Sequence, residues 1–273
     1  MKKKKIVNGL HTFYIVLVYL FFYAPVAVMV VFSFNTSKAN VSWQGFTTSW
    51  YTRLMGDSEL WGVFGTTLLI AALTTIFATI IGTMGAIGYR QAKSKFAKLI
   101  TNTIYFPIVI PEIVLAVALY MIFNQSGIGL GVTVITIGNA TLCLPYVYIT
   151  VKSRLVGMDP SIEEASLDLG ADRVYTLLHV IVPQILPGIL SGAFMSFSLA
   201  LDELIITSFL ADAGTNTLPM KVYSMMKKGI SPEINALTTL IFAFSMGMLL
   251  LYFLVQGIRT FRTWRKRHRV RDL

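Results

Sequence analysis

Charge is scarce in this chain: 13% of its 273 residues are charged, where a soluble domain carries about a quarter. That deficit excludes a secreted domain, a disordered tail and almost every kind of soluble enzyme. Cysteine is nearly absent too. Cys143 stands alone, so there is no internal disulfide and no thiolate metal cluster, and a small apolar filler is the expected role for it. His11, His179 and His268 are scattered over three segments without HExxH or paired spacing, so no metal site is expected. No GxxxxGK[ST] pattern occurs, so the chain has no phosphate-binding loop of its own. Gly82, Gly85 and Gly88 imitate a nucleotide loop only superficially. They stand inside an apolar helix rather than after a strand, and close helix packing is the better reading for them and for Gly188 and Gly192. No nucleophile with a base at hand stands out, so neither catalysis nor a bound cofactor is expected.

Hydrophobic residues make up 55% of the chain, and they fall in blocks of roughly twenty, the length that crosses a bilayer core. The blocks predict an all-α membrane protein of six spans, at about 13–34, 61–89, 99–123, 132–151, 185–211 and 236–258, in a single transmembrane domain covering 1–273. The run after Lys2–Lys5 is too long for a signal peptide and lacks a small-residue cleavage site. Lys and Arg number 23. Four lie in the N-terminal segment, four in 90–98, three in 152–184 and seven in the tail 259–273. These segments share one side of a six-span path, and only Lys38, Arg53, Lys221, Lys227 and Lys228 fall on the other. The positive-inside rule therefore predicts both termini in the cytoplasm. The net charge of +10 becomes an orientation signal, and a lipid-facing flank is favoured over nucleic acid as its partner.

The third inner loop, about 158–183, holds the densest set of helix signals. Ser161 and Glu164 have the S-x-x-E spacing of a capping box, and Glu163 and Glu164 suit the positive end of a helix dipole. Gly170 suits a left-handed helix stop, and Asp172 suits the cap of a second short helix running to Pro183. A helix, a glycine corner and another helix are expected across one face of the membrane. Such an object is an interfacial connector or a docking element; its spacing alone does not choose.

Glu164, Ala165 and Ser166, then Gly170 after three residues, then Val180, Val182 and Pro183 resemble the EAA loop of bacterial ABC importer permeases. In that pattern Glu-Ala-Ala is followed at the same intervals by Gly and by Ile-x-Leu-Pro. Further strings resemble the PotC-type subfamily of spermidine/putrescine permeases: Ser33-Phe34-Asn35, Trp43 to Thr48, Leu142 to Pro145, Leu218 to Met225 and Gly229 to Leu237. The resemblance implies a type I ABC importer permease fold in a bacterial cytoplasmic (inner) membrane. It also implies a second permease subunit as heterodimer partner, two ATPase subunits that hold ATP and Mg, and an extracytoplasmic substrate-binding protein. Glu163, Glu164, Ala165 and Gly170 would then couple to the ATPase. Trp43, Tyr51, Tyr223 and Lys228 would form the outer gate or receive the binding protein, although the segment 218–235 reads equally as an amphipathic helix resting on the bilayer. Import of ferric iron, thiamine or a phosphonate is the alternative within the class. A secondary transporter is a weaker one, because no internal repeat is visible.

Three acidic residues fall inside predicted spans: Glu112, Asp202 and Glu203. A carboxylate at bilayer depth costs about 2.5–3.5 kcal/mol for Asp on insertion scales, so it normally faces a cavity or a partner. Pro107 and Pro111 remove backbone donors just ahead of Glu112. Helical spacing puts Asp202 on one face with Ser191 and Ser198, and Glu203 on another with Ser196 and Thr207. The expectation is that Glu112, Asp202 and Glu203 serve a cation pathway, with one of the adjacent pair facing it and the other bracing the partner subunit; Asp202 is favoured for the pathway. The alternative is that all three bond to neighbouring helices.

Overall fold

The computed structural model describes residues 2–37, 42–91, 102–227 and 231–247, with positions 94, 95, 99, 229, 250 and 254 between and beyond them. Eleven helices can be named in chain order. They are α1 (Lys2–Phe32), α2 (Ser49–Gly56), α3 (Ser58–Gln91), α4 (Phe106–Val109), α5 (Glu112–Gln125), α6 (Val132–Val156), α7 (Pro160–Asp168), α8 (Arg173–Thr176), α9 (Val182–Asp202), α10 (Ile205–Leu210) and α11 (Leu218–Lys227). A further helix runs over 232–247. Among the described residues the only extended pairing is an isolated antiparallel bridge between Asn35 and Phe46.

Four stretches are long and apolar enough to cross a membrane: His11–Phe32, Ser58–Arg90, Val132–Val156 and Arg173–Asp202. They correspond to the predicted first, second, fourth and fifth spans. The predicted third span is not one helix. α4 ends at Val109, Ile110 and Pro111 are extended, and α5 restarts at Glu112 as a shorter apolar helix. Pro111 cannot donate an i→i−4 bond and pushes the residue before it out of the α region. The predicted fifth span also breaks, at Glu203, whose ψ of 118° is extended. The sixth span, predicted to 258, passes outside the described residues after 247, as do Lys228 and the tail 259–273.

The chain divides into two compact units, one of residues up to Asp57 and from Ser224, the other of Ser58–Tyr223. In the first, Asn35 organises the loop that follows α1. Its Oδ1 accepts from the Gln44 backbone N–H at 2.9 Å, its Nδ2 donates to Ser42 O at 2.8 Å, and its own carbonyl accepts from Trp50 Nε1 at 2.8 Å. The Tyr51 hydroxyl meets Ser33 Oγ, and its ring lies 5.1 Å from that of Phe34. Trp43 is half exposed and meets Phe32 edge to face.

In the second unit α3, α6 and α9 pack against one another, and α10 rests on α5 and α6. Small residues set these distances. A Cβ on Gly82 would lie 2.9 Å from Val147 Cβ, and one on Gly192 would lie 3.1 Å from Val147 Cα. One on Gly188 would meet Arg154 Cγ at 2.6 Å, so the small-xxx-small pair of α9 grips α6. Gly85 approaches Ile104 and Tyr148, whereas nothing among the described residues lies within 4 Å of a Cβ built on Gly88. Cys143 is fully buried, with its thiol 3.6 Å from the Ser196 carbonyl, as a filler would be.

Candidate functional site

Two places in the second unit gather the chemistry-bearing residues. The first lies where α5 and α10 begin. Glu112 opens α5, and the unpaired N–H groups of a first helical turn favour a carboxylate there. Glu203 sits in the break between α9 and α10, where its two oxygens accept from Ile206 N and Thr207 N, each at 2.7 Å, and from Thr207 Oγ1. Those bonds satisfy donors that a helix start leaves without partners. The Thr207 hydroxyl in turn accepts from Asn139 Nδ2 at 3.4 Å. The chain of donors thus runs Asn139, Thr207, Glu203, and all three residues are buried. Asn139 Oδ1 is buried without a hydrogen-bond partner among the described residues, which is unusual for a native interior. Glu112, 91 positions earlier in the chain, brings its half-buried carboxyl beside that of Glu203.

Helical spacing had separated Asp202 from Glu203 correctly. Asp202 is exposed, as are Ser191 and Ser198 on its stripe. Glu203 is buried with Ser196 and bonds Thr207 directly. Glu203, at 6% exposure, spends its carboxylate oxygens on the Ile206 and Thr207 amides and the Thr207 hydroxyl of its own chain. The break after Asp202 created free amides one turn ahead, and Glu203 was the group in reach. Asn139 went unnoticed in the sequence, although a lone Asn inside an apolar span is itself a signal.

The second place is the corner formed by α7 and α8. The expected capping box is not the device that starts α7. Pro160 takes the first helical position and Asp159 is the cap, accepting from Ser161 N at 3.0 Å. Proline lacks the N–H and comes with its φ preset, so the helix starts two residues earlier than a Ser161 cap would dictate. The Ser161 backbone N–H beside it holds the Asp159 carboxyl below the usual aspartate range. Glu163 reaches back to Arg90 at the end of α3, with N and O 2.9 Å apart, while Glu164 and Ala165 are exposed. Gly170 stops the helix at φ 86°, the left-handed conformation expected of it. Asp172 caps α8 through Tyr175 N. α8 does not end as a separate helix: it continues through a π-helical turn, Leu177–Ile181, directly into α9.

Ser166, the departure from Glu-Ala-Ala, shares a 3.0 Å hydrogen bond with the buried Thr176 hydroxyl and so ties the two arms of the corner. An open groove runs past Ser166, Leu169, Gly170, Ala171, Asp172 and Tyr175. Leu169, at 89% exposure, projects from the corner with Ile162 and Leu167 also exposed. Apolar groups exposed on a polar connector suit a surface that contacts a partner or the bilayer. Arg90 and Leu169 were both missed in the sequence, where nothing distinguishes them from an orientation charge and a spacer.

The described residues expected at an outer gate are each tied to near neighbours. α11 is pinned to the head of α3 by an ion pair from Lys221 to Glu59 and by Leu218 N donating to Thr67 Oγ1 at 2.8 Å. Tyr223 is half exposed on α11, and Lys228 lies outside the described residues. Trp43 and Tyr51 belong to the loop organised by Asn35.

Known proteins are similar to this chain over most of its length. The profile of the family described as "Binding-protein-dependent transport system inner membrane component" matches residues 78–264. The spermidine/putrescine transport system permease protein PotC of Escherichia coli (strain K12) is 36% identical over 233 residues, which cover 85% of this chain and 88% of that protein. The putrescine transport system permease protein PotI of the same strain is 37% identical over 234 residues, 82% of each chain. Among solved structures, a bacterial ABC transporter involved in the import of alginate matches at a TM-score of 0.72 and 14% identity, covering 92% of this chain and 94% of that one. An amino acid ABC transporter matches at 0.57 and 21%, covering 76% and 98%. The match over residues 78–264 and these relatives at 36–37% identity agree: the chain belongs to the family of inner-membrane permease components of binding-protein-dependent ABC transport systems.

Proposed function

We propose that this chain is one of two membrane subunits of an ATP-driven importer that carries polyamines into the cell. The observation that carries the reading is the pair of carboxyls Glu112 and Glu203, brought together inside an apolar bundle in a chain whose 36–37% identical relatives are named permeases for spermidine and putrescine. Cargo with several ammonium groups gives such acids a reason to exist. At an effective dielectric of 20, one charge pair at 4 Å is worth about 4 kcal/mol, enough to offset part of an ammonium's dehydration. Glu112 is the half-exposed member of the pair and the one available to cargo. Glu203 orients it from behind. Asp202, on the exposed face of α9, meets the pathway where the second permease subunit closes it.

In this reading six spans place both termini in the cytoplasm. The corner from Pro160 to Thr176 docks in a separate ATPase subunit, which holds ATP and Mg. An extracytoplasmic binding protein lands on the loop bearing Trp43 and Tyr51 and on the segment bearing Tyr223 and Lys228. ATP-driven closure of two ATPases draws the two coupling corners together and opens the bundle outward. The test is uptake of labelled spermidine and putrescine by vesicles reconstituted with both permeases, the ATPase and the binding protein. Uptake that requires ATP and loaded binding protein is expected. Absence of polyamine uptake in vesicles that take up another solute on ATP addition overturns the cargo assignment.

A further inference from the structure

Lys152, near the end of α6, lies in unusual company. Its ammonium is 4.1 Å from the centroid of the Tyr89 ring, 5.3 Å from that of Tyr148 and 5.7 Å from that of Tyr105. It also donates to the Tyr105 hydroxyl at 3.4 Å. The three rings come from α3, from the turn entering α4 and from α6 itself. Tyr105 and Tyr148 meet edge to face at 5.7 Å, and Tyr148 is fully buried. Among the described residues no carboxylate lies within ion-pair distance of Lys152. Lys152 is only partly buried, so the grouping of three rings about its ammonium, and not full burial, sets it apart. An ammonium held against aromatic rings is an arrangement by which proteins recognise cationic ligands.

The side chain of lysine is itself four methylenes ending in an ammonium, the aminobutyl unit of which putrescine and spermidine are built. The cage therefore has the size and chemistry for that unit and is filled by one. Tyr148 and Lys152 stand nine and thirteen positions beyond Asn139 on the same helix, about 13 and 20 Å along its axis. The carboxyl cluster and the cage are thus two cation stations at different depths of one bundle. Ring faces hold a cation less directionally than carboxylates and retain it less firmly. That suits a station from which cargo must leave, since a transported ion needs sites weak enough to release it.

We infer that Tyr89, Tyr105 and Tyr148 form a binding station for an alkylammonium group of the cargo, and that Lys152 occupies it as a tethered stand-in until cargo displaces it. The identity of the cargo rests on the polyamine reading above; the cage chemistry does not. The experiment uses the assembled transporter in nanodiscs without ATP, with labelled n-butylammonium and labelled spermidine as separate probes in equilibrium dialysis. Lys152→Ala empties the cage and should raise n-butylammonium affinity at least tenfold over the unaltered complex, and Tyr89→Leu added to it should remove the gain. Butylammonium should also raise the melting temperature of the Lys152→Ala complex and not that of the double variant. An assembled Lys152→Ala complex with no gain, or a gain that survives Tyr89→Leu, overturns the inference. Lys152→Ser is read in the same way if Lys152→Ala does not assemble; failure of both to assemble makes Lys152 a structural stitch and also overturns it. Spermidine uptake by the unaltered transporter separates the two proposals. Its absence sinks the polyamine reading while a butylammonium gain still stands, and its presence without the gain sinks the cage alone.

Discussion

Adjacent carboxylates in this chain have different surroundings and so should fail differently when neutralised. Glu112→Gln removes the half-buried acid that faces Glu203 and leaves the helix start intact, so polyamine uptake should fall at least tenfold with normal assembly. Asp202→Asn, on the exposed face, should also reduce uptake at unchanged yield. Near-normal uptake in the Glu112→Gln/Asp202→Asn double variant would mean the path lies elsewhere. Glu203→Gln turns one acceptor oxygen into a donor facing the amides of Ile206 and Thr207. A lost buried acceptor costs about 1–3 kcal/mol, so its first effect should be lower complex yield and melting temperature. Gly170 is a cleaner case. Nothing lies within 4 Å of a Cβ built there, yet its φ is 86°, so a substitution is penalised by backbone conformation alone. The left-handed region costs a β-branched residue about 1–2 kcal/mol and Asn much less. Gly170→Val should uncouple ATP hydrolysis from loaded binding protein in an assembled complex, and Gly170→Asn should retain most coupling. Equal transport by both variants would remove Gly170 from the coupling role.

At the scale of the element, the corner of α7 and α8, proposed above to dock in the ATPase, hangs from the bundle by two arms. One is the continuous α8, π turn and α9; the other is the Arg90–Glu163 bridge, about a quarter to a third exposed at each end. A bridge so exposed contributes about 0–1 kcal/mol to stability, but it fixes the angle at which α7 leaves the end of α3. Glu163→Arg should therefore lower ATP-driven uptake without lowering the melting temperature, and Arg90→Glu added to it should restore uptake. No recovery in the swapped pair would mean that Glu163 acts only through the ATPase. The start of α7 carries a pH signature. Because the Asp159 pKa is lowered in the fold, its cap is fully present above the ordinary aspartate range and is lost as pH falls through the lowered value. Asp159→Ala should weaken coupling at neutral pH, whereas Asp159→Asn keeps an acceptor and should remove the acid-side decline. A decline of coupling at the same pH in wild type and Asp159→Asn would show that another group titrates.

At the scale of the whole molecule, the long helices are apolar, and within the second unit the most hydropathic window of α3 is 28% buried, against 56% for α6. α6 is the central pillar, and its contacts depend on glycine. Gly82→Val should drive a side chain into Val147 and lower assembly yield, and Val147→Ala beside it should recover part of the loss; no recovery would place the clash elsewhere. The sequence by itself determined the helical class, the long apolar blocks, the glycine corner at Gly170 and the face separation of Asp202 from Glu203, because these follow from composition and local periodicity. It also carried the resemblance at Glu164, Ala165 and Gly170, because that pattern is local. Tertiary structure alone decided where the third and fifth blocks break, that Glu203 turns inward to cap α10, and that Glu112 meets it from 91 residues away. Only the fold paired Arg90 with Glu163 and set Lys152 among three tyrosines. Each of these depends on which unsatisfied amide or charge has a partner within a few ångströms, and periodicity along one helix holds no information about the neighbour it will meet.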